Sequence, residues 1–448
     1  MTQTIPVPAA LSTRVLLQPL RAGLVEGQDT TVDVLVRVQA PDAPAGQFPD
    51  RAPHALALVI DKSGSMAGQP LAEAIRCARM VVDRLRPVDS VSLVEFDDCV
   101  RRLWPAVPRG DGTALHRALD GVHDGGSTDL HGGWREGAET LADVAGSGLK
   151  RVVLLSDGAA NQGLQDPRAI ATQCSEFAAR GITTSTYGLG NHFNEELMVA
   201  MARAGAGNSY YGDTAEDLAE PFQRELDLLG NLCLSDLQIS LQAPAGVQTE
   251  MLNDLPRTAA GWRLADLAWG AEAWAVVRVR VPASQASTIG SSVSVLKVRV
   301  AGLESDGTAI DLERVGLTLP VLTFADWARL PEDPLVAQRL AEIEASAVLQ
   351  QMRHAAGQGD WSSVDRMLED AQRRFGGHEW LAAVLESMKQ TAASRSRERL
   401  RKEALYSASS MNYRLSDKDE QIHFSAVDES TSKPSYLRRK PTQGKGRQ

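Results

Sequence analysis

The sequence predicts an α/β protein in which a mainly parallel, doubly wound sheet is inserted into a β-sandwich and followed by a helical C-terminal region. Three observations predict it. From about His54 to Asn231, short apolar runs alternate with amphipathic stretches; such alternation implies right-handed crossovers and a sheet covered on both faces. On either side, residues 12–40 and 232–322 change to strict alternation of apolar and polar residues, the mark of half-buried strands. Residues 331–404 then show apolar residues at helical spacing.

Residues 1–53 contain two alternating segments, Arg14 to Pro19 and Thr31 to Val38. Two strands do not make a stable sheet alone, so they are expected to complete a sandwich with residues 232–325. The Pro-, Ala- and Gly-rich stretch 40–53 reads as a linker. Within 54–231, strands are expected at 55–60, 90–96, 151–156, 182–188 and 208–211, with an edge strand at 99–104. Helices are expected near 70–86, 113–122, 129–145, 166–180, 194–204 and 214–229. In the first of these, Leu71, Ile75, Ala78, Val82 and Leu85 share one face. The result is a Rossmann-like arrangement. Beyond the sandwich, a break at Ala356 to Asp360 separates a first long helix from helices at 361–374 and 379–395. The mostly charged run Ser394 to Lys402 reads as a solvated helix, and 405–448 as a basic, disordered tail.

The chemistry gathers at the first strand of the inserted domain. Its apolar run ends in Asp61-Lys62-Ser63-Gly64-Ser65, and the carboxyl end of a strand is where an open α/β sheet binds ligands. Two later segments add to it. Thr128 lies in a Gly-rich loop just before a helix, and Asp157 ends another apolar strand. Two carboxylates and three hydroxyls make an all-oxygen set of the kind a hard divalent cation prefers. Taken singly, Ser and Thr at such places cap helices, but capping does not explain three hydroxyls converging with two strand-end carboxylates. Asp129 reads as a first-turn residue responding to the helix dipole. Asn161 and Gln162 follow Asp157, with a place on the rim as the weaker of their readings, and Asp97 and Asp98 read as a turn pair.

These residues resemble the von Willebrand factor A domain with a metal-ion-dependent adhesion site, whose pattern is Asp-x-Ser-x-Ser, a loop Thr and a strand-end Asp. The resemblance implies that Ser63, Ser65 and Thr128 bind the ion directly, and that Asp61 and Asp157 hold it largely through waters. It implies Mg²⁺, with Mn²⁺ or Ca²⁺ as other occupants, and an open position for a Glu or Asp from a protein partner. The whole chain is similar to bacterial proteins with a central A domain, a flanking β-sandwich and a helical C-terminus. Related A-domain proteins work with an AAA+ ATPase or a kinase and phosphatase pair, and the resemblance implies either as a partner.

Composition narrows the function further. The 448 residues carry a formal net charge of −10, which disfavours general nucleic-acid or anionic-membrane binding. From Ser430 onward there are six Lys or Arg and no acid, so body and tail differ in sign. No apolar run reaches the roughly 20 residues that span a bilayer, and the N-terminus lacks the features of a signal peptide. Cys77, Cys99, Cys174 and Cys233 show no metal-ligand spacing and read as free thiols of a cytoplasmic protein. His378-Glu379 opens like a zinc protease helix but lacks the second His. Walker A, G-x-G-x-x-G and G-x-S-x-G patterns are missing from the sequence. The expectation is a non-enzymatic, Mg²⁺-dependent scaffold or adaptor. The alternative is a self-assembling homo-oligomer in which the tail or C-terminal helices of one copy engage the metal site of another; a metal-dependent hydrolase is the weaker third reading.

Overall fold

A computed structural model describes residues 13–417, apart from 44–50, 147, 158–159, 190–193, 213–218, 313 and 414. The described residues begin with β1 (Arg14–Pro19), β2 (Leu24–Val25) and β3 (Thr30–Gln39). It then enters the inserted domain through β4 (Ala55–Asp61), α1 (Gln69–Arg84), β5 (Ser90–Phe96) and the antiparallel edge strand β6 (Val100–Pro108). There follow α2 (Thr113–Asp120), α3 (Leu130–Ala142), β7 (Lys150–Ser156), α4 (Pro167–Ala179), β8 (Ile182–Leu189), α5 (Glu195–Ala204), β9 (Ala206–Gly212) and α6 (Ala219–Gly230). The six strands lie in the order β6-β5-β4-β7-β8-β9, all parallel except β6.

Strand β4 is buried along its whole length, which is why it reads as one unbroken apolar run. Its alternate side chains serve two cores. Leu56, Leu58 and Ile60 pack with Leu71, Ala78 and Val82 of α1. Ala57 and Val59 face Trp134 and Ala138 of α3 and Met198 of α5. Small residues let α3 approach closely: a Cβ on Gly137 would sit 2.5 Å from Val59 Cγ2, and one on Gly133 would sit 2.4 Å from the Phe96 ring.

After α6 the chain forms β10 (Leu232–Gln242), β11 (Gln248–Met251), β12 (Arg257–Thr258), β13 (Gly261–Arg263) and β14 (Leu267–Ala268). Next come β15 (Ala271–Val281), β16 (Ser292–Glu304), β17 (Ala309–Asp311) and β18 (Val315–Leu322). One sandwich sheet runs β1-β3-β15-β11, the other β12-β13-β10-β16-β18-β2. β3 pairs with β15 from Thr30↔Val281 to Gln39↔Glu272, so strands on the two sides of the inserted domain share one sheet. Val34, Val36 and Val38 alternate into a core with Ala275, Val277, Ile239 and Val298. The intervening Leu35, Trp274 and Val276 meet Leu335 and Val336 instead, so a helix covers the outer face of this sheet.

That helix is α8 (Pro334–Gln358), which follows the short α7 (Phe324–Ala328). With α9 (Trp361–Phe375), α10 (Glu379–Ala393) and α11 (Arg397–Tyr413) it builds a further core around Leu349, Met352, Leu368, Val384, Met388 and Leu400. Here the structure corrects the sequence reading. The run expected to be a solvated helix is exposed at Arg395, Arg397 and Glu398, but it packs from Leu400 onward: Leu400, Lys402 and, just beyond the run, Glu403 are buried. The helix also continues past residue 404, where a disordered tail was expected, and β19 (Ser416–Asp417) pairs with β15. Tyr406 stacks on Tyr211 of β9, ring centroids 5.3 Å apart, and Arg401 pairs with Glu196 of α5 at 2.8 Å. Burial against the inserted domain, invisible in local composition, holds this segment in order. The rest of the expected tail, from 418, lies outside the described residues.

Candidate metal centre

Strand β4 delivers Asp61 at its carboxyl end, fully buried. Its Oδ1 accepts from the Ser63 backbone N–H at 2.8 Å and its Oδ2 from the Ser156 hydroxyl at 2.5 Å. Ser63 Oγ lies 3.2 Å from Ser65 Oγ, and Ser65 Oγ donates to Asp157 Oδ1 at 3.0 Å. The structure therefore joins Asp61, Ser63, Ser65 and Asp157 in one polar chain across the ends of β4 and β7. Ser63 is buried, Asp157 half-buried and Ser65 exposed, so the cluster opens to solvent on the Ser65 side.

The loop that carries Thr128 is bonded to the same segment. The Gly64 N–H donates to Gly126 O at 3.1 Å and the Gly125 N–H to Lys62 O at 2.8 Å, tying the loop to the segment that carries Ser63 and Ser65. Gly126 has φ +65 and rides directly on Asp97 and Asp98, leaving no room for a Cβ. Thr128 is 3% exposed. None of the three hydroxyls caps a helix. The N-caps of α1 and α3 are Gly68 and Asp129, and the latter accepts from Gly132 N. Ser63 precedes a short 3₁₀ turn without a side-chain bond to it.

The electrostatics fit a cation. Burial pushes the Asp61 carboxyl above its ordinary value, against the hydrogen bonds from Ser156 and Ser63, and the charge of Asp97 adds to the rise. Hydroxyl and amide donors hold Asp61, with no Lys or Arg paired to it among the described residues. The neighbouring Lys62 ammonium is turned to Asp97 and forms an ion pair there. A buried carboxylate beside neutral oxygens is stabilised in its charged form by a nearby positive ion. Asp97, Asp98 and Cys99 also bring one ligand atom each within 4.8 Å of the others, but Asp97 is already held by Lys62 and the Cys99 N–H.

Sequence reasoning did not single out Ser156, whose hydroxyl orients Asp61; its place one residue before Asp157 at a strand end was the available signal. Asn161 is exposed and holds Thr128: its Oδ1 accepts from the Thr128 N–H at 2.9 Å. His116 pairs with Asp83 and His131 with Gln173, away from any shared ligand geometry.

The family model described as the von Willebrand factor type A domain matches residues 55–224. The chain contains a von Willebrand factor A domain. The uncharacterized protein YfbK of Escherichia coli is 30% identical over 175 residues, which cover 38% of this chain and 30% of that one. The uncharacterized protein sll0103 of Synechocystis is 27% identical over 201 residues, covering 45% of this chain and 47% of that one. The chain thus spans less than half the length of these curated relatives. A solved von Willebrand factor type A protein from Catenulispora acidiphila superposes with a TM-score of 0.70 over 90% of this chain and 98% of its own, at 17% identity. The ArnB paralog VWA2 from Sulfolobus acidocaldarius superposes with a TM-score of 0.58 over 87% and 97%, at 18% identity. At these identities the likeness is one of fold, and it extends well beyond the A domain. Among the described residues no helix is long and apolar enough to cross a membrane.

Proposed function

We propose that this protein is a non-enzymatic, Mg²⁺-dependent protein-binding module that acts in the cytoplasm as a scaffold or adaptor. Asp61, Ser63, Ser65, Thr128 and Asp157 would hold the ion. When bound, it supplies an electrophilic position that accepts a carboxylate oxygen from a partner. The observation that carries this reading is the polar chain from Asp61 through Ser63 and Ser65 to Asp157 at the sheet's carboxyl edge. The chain's own residues prepare the site. Ser156 and the Ser63 N–H fix the Asp61 carboxylate, and the Gly64–Gly126 bond sets the two loops against each other. Ser65 stands at the open side, where a partner side chain can arrive. Ser65 Oγ is shared between Ser63 Oγ and the Asp157 carboxylate, as suits an oxygen ligand of a cation. Four free thiols, three of them buried, agree with a reducing compartment.

Affinity capture from native lysate tests this, comparing wild type with Mg²⁺, wild type with chelator, and Asp61→Ala. A partner held only by wild type with Mg²⁺ supports ion-bridged binding and identifies which ATPase, kinase, phosphatase or other protein is engaged. A partner retained in all three samples moves the binding surface to the sandwich or the helices.

A further inference from the structure

We propose that Asn161 is the positioning residue that sets the cation affinity of the Asp61 centre, by latching the Thr128 loop to the segment that follows β7. This rests on the metal reading given above. Of the five oxygen donors, Thr128 is the one that no strand end delivers. Its hydroxyl is placed only as well as its main chain is held, and oxygen ligands arranged around a small cation tolerate little displacement.

The grip on that main chain comes largely from Asn161. The Thr128 N–H donates to Asn161 Oδ1 at 2.9 Å, while Thr128 O accepts from the Asn161 and Gln162 N–H groups, both at 3.2 Å. Both peptide groups flanking Thr128 are thereby tied to one neighbour. Because a backbone N–H can only donate, the bond also fixes which end of the Asn161 amide faces it. A second contact lies two residues further on. Gly163 has φ +65 and backs onto the α3 cap so closely that a Cβ there would sit 2.2 Å from Asp129 Oδ1.

Asp157 and Asn161 belong to the same strand-to-helix connection. Through Asn161, the donor on that connection and the donor on the Thr128 loop are set at a common spacing. Asn161 itself is exposed while Thr128 is buried, so the Asn161 side chain serves the Thr128 loop rather than the core. Partners that orient ligands in this way change metal affinity by about 10–100-fold when removed.

The test is calorimetric titration of Mg²⁺ and Mn²⁺ into the full chain for wild type, Asn161→Ala and Asn161→Asp, with thermal midpoints measured in chelator. The inference predicts that Asn161→Ala weakens cation binding by about 10-fold or more while its chelated midpoint stays at the wild-type value. Asn161→Asp keeps an acceptor for the Thr128 N–H and retains wild-type affinity or better. An Asn161→Ala variant that binds like wild type, or an Asn161→Asp variant weakened as much as Asn161→Ala, overturns the inference and leaves the metal reading standing. Loss of the chelated midpoint in step with affinity also overturns it, making Asn161 a scaffold residue. A wild type that takes up neither ion overturns the metal reading, and this inference with it.

Discussion

Acid should loosen the A domain through His54, far from the metal centre. His54 precedes β4 at the end of the sheet opposite Asp61 and is 1% exposed. Its Nδ1 accepts from the Leu149 N–H at 3.2 Å and its Nε2 donates to Leu229 O at 3.2 Å. Only the neutral imidazole protonated on Nε2 can do both. Burial, reinforced by the Arg51 charge, lowers its pKa from 6.5 to about 3, although Asp89 and the Leu229 carbonyl pull the other way. The unfolded chain therefore binds more protons than the folded one between those values, so stability rises with pH across the window. The contribution is fully present above about pH 6.5 and is lost as pH falls toward 3. Between pH 7 and 4.5 the loss is about 2.5 kcal/mol, and it depends little on the folded value so long as that stays well below 4.5. Urea unfolding followed by tryptophan fluorescence at several pH values reads it, with His54→Gln as the non-titrating reference. Asp89 titrates in both proteins and cancels in the comparison. The wild-type curve should fall more steeply than the His54→Gln curve by about 1.4 kcal/mol per pH unit below 6; parallel curves would show that His54 is not held neutral in the folded protein.

Two further substitutions probe the packing that positions the site. Arg151 is buried, donating to Glu225 Oε1 at 2.5 Å and to Asp266 Oδ2 at 2.8 Å, and so joins the A domain to the sandwich. Arg151→Met strands both carboxylates and should destabilise by about 3–5 kcal/mol in urea unfolding; a change below about 1 kcal/mol would mean that water or rearrangement replaces the guanidinium. Gly133→Ala drives a methyl to within 2.4 Å of the Phe96 ring, beside Asp97. Overpacking of about 1–3 kcal/mol should outweigh the helix-propensity gain of about 1 kcal/mol, giving a lower thermal midpoint; a raised midpoint would show that α3 shifts freely.

Much of the fold could be read in the sequence because the A domain keeps local and global signals in agreement. β4, β5 and β7 are buried, mainly apolar runs bounded by turns, while β8 is buried with a polar stretch, Thr183 to Thr186, in which Ser185 bonds Glu225 and Thr186 bonds Met198 O. The Thr30–Gln39 strand could be assigned a partner because its alternation had no other sheet to join. The last helix could not be read. Nothing in Ser407 to Tyr413 announces a buried element; its order comes from Tyr406 on Tyr211 and from Asn412, whose backbone and side chain bond Asn253 and Asp254. Short pairings such as β12, β14 and β17 are likewise set by neighbours rather than by their own residues. At the site, Asp61, Ser63 and Ser65 were legible because they sit on one short segment. The supports, Ser156 and Asn161, act through hydrogen bonds that span 95 and 33 residues of sequence, which no local pattern encodes.

Whether the Asp61 cluster holds a divalent cation decides how this domain works. Equilibrium dialysis of the full chain against Mg²⁺, followed by elemental analysis, tests it most directly, with Asp61→Ala dialysed alongside and circular dichroism confirming that both are folded. One Mg²⁺ per wild-type chain is expected, and none above background in Asp61→Ala. A wild type without the ion, or an Asp61→Ala variant that retains it, would mean that these oxygens do not form a cation site.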